Sequence, residues 1–129
     1  MLSDVVAFAR PKGPWYLRLT GFSMSPSLLD GDDLLVDPAR GAPQIGDVIV
    51  FPHGNILVAH RVIEIGAKIR TAGDASRGQT ECVDRSAVLG IVTEVRRRGA
   101  VIRSDMRSTW KAMLLRARLA LRYHLRLHR

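Results

Sequence analysis

Between Trp15 and Ser104 the apolar residues come in short, β-branched runs broken by Gly, Pro and Asp. "WYLRLT" (15–20), "DLLVD" (33–37), "DVIVF" (47–51), "ILVAHRVIEI" (56–65), "KIRTA" (68–72), "VLGIVTEV" (88–95) and "AVIRS" (100–104) all have the length and composition of strands. "DG" at 30–31, "HGN" at 53–55 and "RRG" at 97–99 supply turns between them. Seven strand candidates without a helix among them predict a mostly β domain over residues 1–104. A chain of 129 residues suffices for one such domain with a modest core.

The C-terminal segment reads differently. "STWKAMLLRARLALRYHLRLHR" has no Gly or Pro, and Ser104 or Ser108 could cap a helix before it. At helical spacing Trp110, Met113, Leu114, Ala117, Leu121 and Leu125 share one side, with Lys111, Arg118, Arg122, Arg126 and Arg129 opposite. Residues 105–129 are therefore expected to form a basic amphipathic helix. Such a helix either docks its leucine face on the β domain or lies on an anionic membrane surface, with RNA contact a lesser alternative.

Charge follows the same division. Residues 96–129 hold eleven Lys or Arg against one acid, Asp105, whereas residues 1–95 hold nine against eleven acids. The net charge of +8 thus comes from the tail, and the charge of a near-neutral body does not point to nucleic-acid binding by the β domain. The lone cysteine, Cys82, allows no intrachain disulfide, which fits a reducing compartment. No apolar tract reaches transmembrane length, and "MLSDVVAFARPKGPW" is too weak for a secretory signal. These features predict a cytoplasmic protein or one held peripherally at a membrane.

Within the body, "GFSMSPSLLDGDDLLV" (21–36) places Ser23 in a tight polar turn ahead of a hydrophobic strand. A turn serine ordinarily satisfies local backbone; as a nucleophile it would need a neighbouring base. Of the four histidines, His124 and His128 belong to the tail and His53 to a turn. His60 lies inside a strand, where alternation groups it with Ile56, Val58 and Val62. An imidazole among apolar neighbours tends to stay neutral, as a general base must, although a hydrogen-bonded core histidine would look the same.

"GFSMSPSL" resembles the Gly-x-Ser-Met-x-Pro-[Ser/Thr]-Leu box of the signal peptidase I family of serine proteases. "GDDLLV" (31–36), "IGDVIVF" (45–51), "VAHRVI" (58–63), "TAGDAS" (71–76) and "VLGIVTEV" (88–95) continue the resemblance in order. The same fold is shared with self-cleaving repressors of the SOS type, the wider group being the S24/S26 peptidases. The resemblance implies a signal peptidase/SOS-repressor-like β domain, with Ser23 as nucleophile. The usual bacterial base is a lysine just before "RV"; that position is His60 here, as in the endoplasmic-reticulum and archaeal type. Lys68 lies in a different strand.

A Ser–His pair calls for a carboxylate to orient the ring. Asp74 matches the Gly-Asp of the family box and is the expected third member, although a turn aspartate would also fit. The histidine-type enzymes carry a further aspartate beyond that box. Here "RGQTECVD" offers only Glu81 and Asp84 as nearby acids, and Asp84 stands in reserve. Gly21 occupies the position where some members place an assisting hydroxyl, so the oxyanion would rest on backbone N–H groups such as that of Ser23. Met24 would line the substrate cleft by resemblance or fill the core otherwise. Asp32 and Asp47 read as turn residues, and no metal or other cofactor is expected.

The resemblance therefore implies a serine endopeptidase acting on a peptide or protein substrate, with residues 105–129 offering a contact to an anionic membrane surface. The competing reading is an accessory or binding protein that keeps the fold with little catalytic power. A self-cleaving repressor is disfavoured, since no DNA-binding domain precedes residue 15 and no Ala-Gly or Cys-Gly dipeptide lies in an N-terminal linker.

Overall fold

A computed structural model describes residues 12–107. The expected tail helix lies, for residues 108–129, outside them. Strands β1 (Trp15–Arg18), β2 (Asp33–Asp37), β3 (Val48–His53), β4 (Ile56–Ile65), β5 (Ile69–Ala72), β6 (Glu81–Val83), β7 (Gly90–Arg97) and β8 (Ala100–Arg103) form one antiparallel sheet, with a short 3-10 turn at Arg85–Ala87. The spatial order is β1-β2-β7-β3-β4-β5-β6, and β8 pairs with β7. The mostly β expectation holds among the described residues.

The register explains why the hydrophobic pattern is uneven. β3 sits between β7 and β4, and its "VIVF" run is buried on both faces. Val48 and Val50 join one core cluster with Met24, Leu28, Leu34, Val36 and Val95. Ile49 and Phe51 join another with Val62, Ile69, Val83 and Ile91. A strand covered on both sides reads as continuously apolar rather than alternating. β2 alternates instead, with Leu34 and Val36 buried. Met106 also packs into the first cluster, so the opening of the segment assigned to the tail rests against the β domain.

Tight connections do the rest. Arg98 (φ 53°) and Gly99 (φ 80°) turn β7 into β8 with two consecutive left-handed residues, as a two-residue hairpin requires. Asp32, buried before β2, accepts from the Leu29 N–H at 2.8 Å and from Arg97 at 2.8 and 3.0 Å. Burial opposes the charge on Asp32. The Arg97 and Leu29 hydrogen bonds, with the positive charges of Arg97 and Arg103, outweigh it and hold the carboxyl below its ordinary value.

A carboxyl depressed by folding stabilises the protein fully above its unfolded pKa, about 3.9 for Asp. That contribution disappears as pH falls through the lower folded value. Urea midpoints measured from pH 7 to pH 2 should therefore fall in acid. Asp32→Asn should be weaker than the parent at neutral pH, and the two should converge at the acid end.

Candidate active site

The turn carrying Ser23 is anchored by its neighbours. Met24 and Leu28 are fully buried, and the Leu28 N–H donates to the Met24 carbonyl at 3.0 Å. Asp30 accepts from the Gly21 N–H at 2.8 Å, with Gly21 at φ 88°. These fixings leave Phe22 and Ser23 at the surface. Met24 fills the core and does not line the cleft.

His60 is not a core histidine. Its side chain is 16% exposed, and Phe51 meets its ring edge-on at 6.4 Å between centroids. Its Nε2 lies 3.0 Å from the Ser23 Oγ. Nδ1 contacts the Glu81 carboxylate. Register brings that acid to the ring: Val62 pairs with Thr71 and Thr71 with Glu81. His60, two residues before Val62, thus shares their face of the sheet. An Nδ1–H donated to Glu81 leaves Nε2 free to accept the Ser23 hydroxyl proton.

Asp74, the expected third member, does not face the imidazole. It forms a buried pair with Arg61, which donates to Asp74 Oδ1 at 2.8 Å and Oδ2 at 2.7 Å. Ser27 Oγ also donates to Asp74. Arg61 further donates to the carbonyls of Gly46 (2.9 Å) and Met106 (2.6 Å). This buried node is joined to the surface pair along the chain, since Arg61 follows His60. Asp84 is exposed and lies 3.4 Å from Lys68. Neither aspartate meets the ring.

Gly73 sets how closely the two segments approach. A Cβ there would stand 2.5 Å from the Ser23 carbonyl oxygen and 3.2 Å from His60 Nε2. The next turn is tied down by the Ala75 N–H donating to the Ser23 carbonyl at 2.9 Å. Gly73→Ala must displace either Ser23 or His60. A misplacement of about 1 Å can cost roughly 10²-fold in rate. Turnover should fall by at least that order while the circular dichroism spectrum of the sheet stays that of the parent.

Two depressions meet at Ser23. A cleft of about 940 Å³ runs past His60 and Glu81 toward Ala75 and Arg77. A groove of about 350 Å³ runs between the end of β1 and the start of β4. Among the described residues no group of His, Cys, Asp and Glu has metal-binding geometry, and no helix is long and apolar enough to cross a membrane.

A surface serine bonded to an imidazole, itself backed by a carboxylate, is the arrangement of a serine hydrolase. The chain belongs to the peptidase S24-like family, whose model matches residues 2–93, and it carries an S24-like serine peptidase domain. No curated protein matches it.

Two residues of this site were not assigned by sequence reasoning. Glu81 is one of two acids in the stretch after the Gly-Asp box, and its strand is not among the seven candidates. Arg61 had a signal: alternation places it with Leu57 and Ala59 on the inward face of β4, where a charge requires a buried partner.

Proposed function

We propose that the protein is a serine endopeptidase of the signal peptidase-like, histidine-base type, with Ser23 as nucleophile, His60 as general base and Glu81 orienting the ring. The observation that carries this reading is the chain of contacts from Ser23 Oγ through the imidazole to Glu81. Ser23 Oγ attacks the substrate carbonyl carbon as its proton passes to His60 Nε2. Glu81 stabilises the resulting imidazolium. The Ser23 N–H, bonded to no acceptor among the described residues, is available to the oxyanion. Collapse breaks the C–N bond, and Nε2 returns its proton to the leaving amine. Water, activated by the same nitrogen, then releases the acyl group from Ser23.

An extended peptide suits the approach. Residues Ile56–Ala59 of β4 pair with β3 on one side, and β5 pairs only from Arg61 onward. The unpaired stretch beside Ser23 offers backbone groups to a substrate strand. The basic composition of residues 105–129 supports peripheral attachment to an anionic membrane, which co-sedimentation with anionic vesicles, with and without those residues, would test.

The deciding experiment is acylation by a fluorophosphonate, with the modified residue mapped by mass spectrometry. Labelling at Ser23, absent from Ser23→Ala, is the expected result. A folded protein whose Ser23 stays unmodified would leave the accessory reading in its place.

A further inference from the structure

The two depressions flanking Ser23 differ in chemistry. The groove between β1 and β4 is walled by Leu17, Ile56, Leu57, Val58 and Ala59. Its one lining charge, Arg18, is bonded to Asp33 at 3.0 Å. The larger cleft has two lining charges, Glu81 and Arg77. Glu81 is engaged by His60. Arg77 has no hydrogen bond or ion pair among the described residues.

Local structure places Arg77 at the edge of the cleft. Ser76 Oγ donates to the Gln79 carbonyl at 2.6 Å, closing the loop Ser76-Arg77-Gly78-Gln79 across its ends. Gly78 has φ 86°, the value the third position of a type II turn demands. Arg77 therefore stands at the corner of a closed loop that lines the cleft with Ala75 and Thr80, with no acid of the lining left to neutralise it.

We propose that Arg77 is a specificity-determining residue that selects a peptide with an acidic side chain on one side of the scissile bond. Apolar side chains fill the β1–β4 groove on the other side. The inference rests on the peptidase reading above and adds the class of substrate. A solvent-facing guanidinium–carboxylate pair is a modest but sign-specific interaction, screened by salt. Its clearest signature is a preference that inverts when the charge is inverted.

The test is a randomised peptide library digested by the full chain, with cleavage products sequenced by mass spectrometry. The parent should enrich Asp or Glu at one position on one side of the cut and Leu, Ile or Val on the other. Arg77→Gln should lower the acidic enrichment by about two- to fivefold, the range for an exposed ion pair. Arg77→Glu should replace it with Lys or Arg at the same position. Each preference is a ratio within one digest, so unequal overall rates do not affect it. Cleavage with no acidic enrichment, or with enrichment unchanged in Arg77→Glu, would overturn the inference while leaving the peptidase reading standing. A library left uncut by a parent whose Ser23 also resists fluorophosphonate would remove both.

Discussion

Replacing His60 by alanine should lower turnover by on the order of 10⁶-fold, and Glu81→Gln by on the order of 10⁴-fold, with little change in KM for either. The two losses have different origins. Without the imidazole 3.0 Å from its oxygen, Ser23 has no acceptor for its proton and attacks only as a poor neutral nucleophile. Without the carboxylate the ring keeps its place against Phe51, but its tautomer and its positive charge in the transition state lose their support. In the proposed mechanism Glu81 acts through His60, so its loss should appear in kcat while the thermal midpoint stays near that of the parent. Glu81→Asp should recover part of the rate, because the charge remains while its reach shortens. A Glu81→Gln enzyme keeping more than a tenth of the parental rate would reduce Glu81 to a packing residue.

The contrast between Glu81 and Asp74 shows what a linear reading can reach. The strand pattern was legible because turn residues and β-branched runs are local signals: β2 and β4 occupy the residues expected of them. Ser23 and His60 stand out as candidates through the ordered boxes that resemble the signal peptidase family; the turn and the apolar strand face alone leave each with an ordinary structural reading. The carboxylate was not legible. Which acid meets an imidazole depends on the register of three strands, and β6 has only three residues, too few for a periodic signal. Asp74 drew attention by its sequence context, yet it lies on the buried side of the turn with Arg61. Proximity along the chain to a functional turn does not say which way a side chain faces.

That burial makes Asp74→Asn a test of architecture rather than of chemistry. Arg61 and Asp74 side chains are 1% and 4% exposed, so the variant would leave a guanidinium in the interior facing a neutral amide. Breaking such a pair from one side destabilises by roughly 3–5 kcal/mol, a large share of the roughly 5–15 kcal/mol that holds a domain together. Asp84→Asn provides the internal comparison. Its partner Lys68 is 59% exposed and Asp84 itself 63%, and a solvated pair of this kind contributes about 1 kcal/mol at most. Urea unfolding should therefore show a large drop for Asp74→Asn and almost none for Asp84→Asn. An acid that oriented His60 would give the opposite pattern: kcat lost, stability kept. The folded fraction of Asp74→Asn in stabilising osmolyte should still be acylated at Ser23, since the carboxylate on Nδ1 is untouched. A variant with the parental midpoint but a dead serine would place Asp74 in the catalytic apparatus after all, and would require the imidazole to turn from Glu81.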